Sequence, residues 1–140
     1  MKKMLAAMLI MAIAIFTPVC SMADSSVITP NASGFFSSYG ISLTNPSGST
    51  IHIVFRVSAV ETMDTLGAPT YDVQRLVSGT WTTVADNLSG STSSDTASYS
   101  FSKNYSAVSG YSYRVKGNFY AKKYDGTTST VTVTSGSISV

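Results

Sequence analysis

The stretch Tyr111–Lys122, YSYRVKGNFYAK, alternates along its whole length. Tyr111, Tyr113, Val115, Gly117, Phe119 and Ala121 fall on one side of an extended chain. Ser112, Arg114, Lys116, Asn118, Tyr120 and Lys122 fall on the other. A period of two with one apolar and one polar face predicts a strand buried on one side only. The neighbouring segments repeat the pattern. Downstream, Asp125-Gly126 is a hairpin signal leading into Val131 and Val133, and then to Ile138 and Val140. Upstream, Ala97, Tyr99 and Phe101 alternate with Ser98, Ser100 and Ser102. Thr80–Val84 follows a tight Ser78-Gly79 turn, and Tyr71 and Val73 alternate with Asp72 and Gln74. Ile51, Ile53, Phe55, Val57 and Ala59 define one further buried face, and a strand around Ile41 and Leu43 ends at the turn Asn45-Pro46-Ser47-Gly48.

These are seven short strands with turn signals between them, and no apolar period of 3.6 runs through the segments that carry them. The expectation is an all-β fold, an antiparallel seven-stranded sandwich, with a small closed barrel as its competitor. Two stretches break the alternation and read as loops: Glu61–Thr70, which holds Met63, Leu66 and Pro69 and so tucks in part against the core, and the Ser/Gly-rich Leu88–Thr96. Phe35–Tyr39 is aromatic but falls outside the clear strands.

Composition fits a folded β protein. The 140 residues are 44% hydrophobic and only 11% charged. Ser and Thr are abundant, yet eight Tyr, six Phe and one Trp accompany them, which disordered chains lack. Residues 1–23 have the parts of a cleavable signal peptide: Lys2 and Lys3, an apolar run from Met4 to Phe16, the breaker Pro18, and the small residues Ser21 and Ala23. The run is too short for a bilayer span of about 20 residues. The predicted organisation is a signal peptide over 1–23, an N-terminal arm over 24–40 and a β-sandwich domain over 41–140. Localisation is then secreted, with no membrane attachment after cleavage. Cys20, the sole cysteine, is either lost with the leader or lipidated; Thr17-Pro18-Val19 before it poorly fits a lipoprotein signal. Export without disulfides suits a bacterial protein.

Without Lys2 and Lys3, the nine basic residues fall to seven, against seven acidic ones. A chain so close to neutral argues against nucleic acid as a partner.

Tyr71-Asp72-Val73-Gln74-Arg75, a short turn and Trp81-Thr82-Thr83-Val84 resemble the third and fourth strands of bacterial fibronectin type III modules. Gly110-Tyr111-Ser112-Tyr113-Arg114-Val115 resembles their sixth. The resemblance covers roughly residues 51–133 and implies an immunoglobulin-like sandwich. It also implies a Tyr that closes a corner by bonding to the backbone upstream, Tyr111 or alternatively Tyr113. The expected Trp of the second strand is absent, with Phe55 nearest to its place. The chain also resembles small secreted bacterial proteins of uncharacterised role, a likeness that implies location and fold but no activity.

The inventory for catalysis is thin. His52, the sole histidine, falls on an outward strand face, and no Ser is marked as a nucleophile. No catalytic residue is assigned and the chain does not read as an enzyme. Glu61 with Asp64, or Asp86 with Asp95, would be the carboxylate pairs for glycoside hydrolysis. Asp86, Asn87 and Asp95 would be the oxygen ligands for calcium. All read more simply as solvated turn residues, so no metal and no cofactor are expected. Aromatic residues carry the stronger signal: Trp81, Tyr120 and Tyr124 are the candidates for stacking on a ligand, a glycan or a protein surface. The alternative is self-assembly into a surface or matrix layer by strand-edge pairing, through the C-terminal strand or the 24–39 arm. An unrecognised hydrolase comes third.

Overall fold

The computed structural model describes residues 34–140. The expected signal peptide, Cys20 and the arm up to residue 33 lie outside the described residues. Six strands run in chain order: β1 (Phe36–Thr44), β2 (Thr50–Val77), β3 (Thr80–Ser106), β4 (Ser112–Lys122), β5 (Thr128–Thr134) and β6 (Ile138–Ser139). The protein is all-β, with no helix among the described residues. Its strands form one curled antiparallel sheet.

β2 and β3 organise the sheet because each is long enough to serve two neighbourhoods. The first half of β2 pairs with β1 on one side, Leu43 opposite Ile53, and with the end of β3 on the other, Phe55 opposite Phe101. Its second half pairs with the start of β3 and with β4, Val73 opposite Val115. β4 continues to β5 and β6. The Ser78-Gly79 link between β2 and β3 has positive φ at both residues, 49° and 79°, as a two-residue hairpin matching the strand twist requires. At Asn45, the side-chain oxygen accepts the Gly48 N–H at 2.8 Å and closes the β1–β2 turn.

The curl brings β4 against β1 and the first half of β2. A Cβ placed on Gly117 would lie 2.8 Å from Ile41 Cδ1 and 3.1 Å from Phe55 Cε1, so the absence of a side chain there lets the two layers close. Phe55 is the hub of the enclosed core. Its ring stacks on Phe101 at 4.7 Å and meets Tyr71 at 5.2 Å and Phe119 at 6.3 Å. Ile41, Ile51, Ile53, Leu66, Val73, Val115 and Ala121 fill the remainder.

Three expectations are corrected. The strand expected around Ile41 begins at Phe36, and Phe36 and Tyr39 from the aromatic stretch are buried in the core. Glu61–Thr70 and Leu88–Thr96 are not loops; they pair with each other, Leu66 opposite Ser93 and Ala68 opposite Ser91. Their alternation is obscured because the buried positions change parity, from Met63 to Leu66 and Ala68 and back to Tyr71, and the pairing is irregular between Ser58 and Met63 and between Gly67 and Thr70. Gly90 is required by this pairing, because a Cβ there would overlap the Ala68 carbonyl oxygen. Finally, Tyr111 does not face inward. It precedes β4, is 38% exposed, and lies under the Arg75 guanidinium at 4.4 Å. Tyr113, 1% exposed, closes the corner: its hydroxyl accepts the Val108 N–H at 2.9 Å and donates to the Val108 carbonyl at 3.3 Å.

Candidate functional site

The outer face of β4 ends in Tyr120 and Lys122, two residues apart and therefore on the same side. Tyr120 stands opposite Gly67 of β2, and Lys122 opposite Thr65. From β2, Asp64 reaches Lys122 in an ion pair of 2.8 Å. Just beyond β4, Tyr124 is 64% exposed, and its hydroxyl donates to Asp95 Oδ1 of β3 at 2.7 Å. Asp95 has a φ of 54°, a left-handed turn of backbone within β3. The charges of this end act on one another. Hydrogen bonding to Asp64, and its charge, hold Lys122 above the usual ammonium value. The Asp95 hydrogen bond, with some desolvation and the charges of Asp95 and Asp64, raises the Tyr124 phenol. Glu61 pairs with Lys123 at 2.7 Å beside them, and the Lys123 ammonium also lies over Phe35 at 5.0 Å.

Two of the three aromatic candidates are thus brought together around the Lys122–Asp64 pair. Trp81 is not. It stands opposite Leu76, nine residues along β2 from the Gly67 that faces Tyr120, about 30 Å of extended chain. There the Arg114 guanidinium covers its ring at 4.4 Å, held by a bond from Arg114 Nε to Gln74 Oε1 of 2.8 Å. That face of the indole is occupied by the protein itself. The sequence singled out both tyrosines but gave no sign that Asp95 would fix one of them, because that contact spans 29 residues.

The other candidates separate. Asp86 and Asp95 sit nine residues apart on one extended strand, far beyond the roughly 5–9.5 Å that two glycosidase carboxylates need. Asn87 turns its N–H to Asp72 Oδ1 at 2.7 Å, away from any shared ligand set with Asp95. Glu61 and Asp64 are each engaged by a different lysine. His52 Nδ1 is 2.8 Å from Asn104 Oδ1, so its ring is oriented by an amide rather than by a carboxylate and serine. Among the described residues, no three His, Cys, Asp or Glu side chains converge as metal ligands.

Fold and site together define an all-β protein with an exposed aromatic and charged cluster at one end of its sheet. No family model and no curated protein matches the chain.

Proposed function

We propose that this is a secreted β-sandwich module for extracellular recognition or adhesion, non-enzymatic, with a glycan or protein surface as ligand. The observation that carries the reading is Tyr124. Its ring is largely open to solvent while its hydroxyl is anchored to Asp95, with Tyr120 and the Lys122–Asp64 pair alongside. An aromatic face fixed in place, with donors and acceptors around it, suits the apolar face and hydroxyl rim of a pyranose ring. The register shift between Ser58 and Met63 in β2 and the left-handed backbone at Asp95 in β3 interrupt the regularity of these two long strands, which supports reading each as two strands in sequence. So read, with β6 as an appendage of the last strand, the sheet would correspond to a seven-stranded immunoglobulin-like sandwich, and the Tyr113 hydroxyl bonded back to Val108 supports the resemblance to fibronectin type III modules.

The test is retention of purified 24–140 on insoluble polysaccharides, mucin and bacterial cell walls. Retention on one of them supports the reading, and elution with the flow-through from all of them overturns its glycan form.

A second reading, self-assembly through strand edges, is favoured by β3. Over 27 residues it pairs with β2 alone among the described strands, and its Tyr99, Phe101 and Tyr105 are only half-buried. Between Thr96 and Ser106 it has no Pro and only one charge, Lys103, so few of the usual guards against edge pairing are present. Mass that grows with concentration in light scattering would move the assignment to this reading.

A further inference from the structure

The opposite outer face, built by β1, the first half of β2 and the end of β3, has a different chemistry from the Tyr124 end. Arg56 projects from the middle strand with Gly40 across from it on β1 and Ser100 across from it on β3. One position further along the same face, Ser58 stands between Ser38 and Ser98. These side chains border an open groove of about 210 Å³. Gly40 contributes no side chain to this lining.

The electrostatics of this face are one-sided. Continuing along the three strands, its residues are Ser42 and Thr44, His52 and Val54, and Ser102 and Asn104. No carboxylate occurs among them. Arg56 is exposed, and among the described residues no acid pairs with it, whereas Lys122 and Lys123 both have acidic partners. Its one hydrogen bond is from Nη1 to Ser42 Oγ at 3.3 Å. A guanidinium carries five N–H donors, so most of the fork is available. Nor does the fold need it: an exposed arginine with one long bond to a hydroxyl contributes little stability.

We propose that this groove binds the carboxylate of an acidic polysaccharide, with Arg56 taking the carboxylate through two parallel N–H bonds and the surrounding serines bonding the sugar hydroxyls. Planar, two-point capture of a carboxylate is what the guanidinium fork does best. The serine hydroxyls beside Arg56 are matched to a polyhydroxylated ligand, and Tyr39, Val57 and Tyr99 complete the lining with apolar surface that the carbon face of a sugar ring can meet. The inference rests on the recognition reading for its ligand class but uses a separate site, so the two fail separately.

The test is binding of oligogalacturonate to purified 24–140, measured by calorimetry, with neutral dextran oligomers and polyglutamate as comparisons. The expected result is binding of oligogalacturonate that weakens at least tenfold in Arg56→Gln and is unchanged in Lys116→Gln, which removes an exposed positive charge from β4, outside the groove. It also weakens as salt rises from about 50 to 500 mM, as screening of an exposed charge demands. Circular dichroism and melting of Arg56→Gln match the parent protein. No binding of oligogalacturonate, equal affinity in Arg56→Gln, or equal affinity for polyglutamate overturns the proposal. Should Tyr124→Ala abolish retention on a polysaccharide while Arg56→Gln changes nothing, the recognition reading stands and the groove falls.

Discussion

Removing one oxygen atom from Tyr113 tests the packing logic of the whole C-terminal half. The ring is 1% exposed and lies 6.2 Å from Tyr105, so Tyr113→Phe keeps the apolar burial and the aromatic contact. Lost are the two hydrogen bonds to Val108, one accepted at 2.9 Å and one donated at 3.3 Å. They tie the connection after β3 to the strand on which the second layer is built. An intramolecular hydrogen bond contributes about 1 kcal/mol net, and a donor stranded without its partner costs about 1–3 kcal/mol. The longer bond is the weaker one, and Val108 is exposed enough for water to replace part of what is lost. A destabilisation of about 1.5 kcal/mol follows, which for a domain of this size lowers Tm by about 6 °C. Tyr111→Phe is the control. Tyr111 is exposed and keeps an aromatic face beneath Arg75 when its hydroxyl is removed, so its stability changes by less than about 0.5 kcal/mol. Both variants are to be measured by urea and thermal unfolding followed by circular dichroism. If Tyr111→Phe loses more stability than Tyr113→Phe, the corner is assigned to the wrong tyrosine and the layer built on it is misplaced.

Gly90→Ala sets a Cβ against the Ala68 carbonyl, and backbone cannot swing aside as a side chain can. The expected cost is about 1–3 kcal/mol, as for overpacking, with hydrogen exchange accelerating first at Leu66–Tyr71; exchange unchanged there would mean that β2 and β3 are not paired at this point. Stability should also fall at alkaline pH. Lys122 and Tyr124 are raised above their ordinary values by their carboxylate partners, and Tyr71 and Tyr105 chiefly by burial. A raised folded-state value stabilises below the ordinary pKa and is lost as pH climbs through the folded one, so Tm should be level to about pH 9 and decline above about pH 10. Asp125, lowered by its bonds to Thr127, works in the other direction and withdraws its small contribution as pH falls below about 4. A Tm that drops between about pH 7 and 9 would contradict these assignments.

How far the sequence could be read depended on whether the two-residue period was intact. Along Ser112–Lys122 nothing interrupts it, and every inward position of that stretch is buried as alternation requires. Tyr111 failed because it stands outside the strand, where the chain still has to turn and Gly110 takes a φ of 88°. Between Met63 and Tyr71 the buried positions change parity twice, so the segment read as a loop although it is paired, with one irregular point between Gly67 and Thr70. Asn87 and Asp95 misled in the same way, as turn-like residues at left-handed positions that bend β3 without ending it. The candidate site was legible in its aromatic residues and illegible in its grouping. Exposure of Tyr124 follows from its place beside a hairpin. Its tie to Asp95, and the distance of Trp81 from both tyrosines, depend on the register of β2 against β3 and β4, which no short window contains.

The central claim is that recognition resides at the Tyr124 end of the sheet, and paired variants test it most directly. Tyr124→Ala and Trp81→Ala, each shown by circular dichroism to be folded, are to be compared for retention on whichever uncharged polysaccharide holds the parent protein. The account predicts that Tyr124→Ala loses most of its retention, and Tyr120→Ala part of it, while Trp81→Ala, its ring already covered by Arg114, binds as the parent does. Retention abolished by Trp81→Ala and untouched by Tyr124→Ala would contradict it.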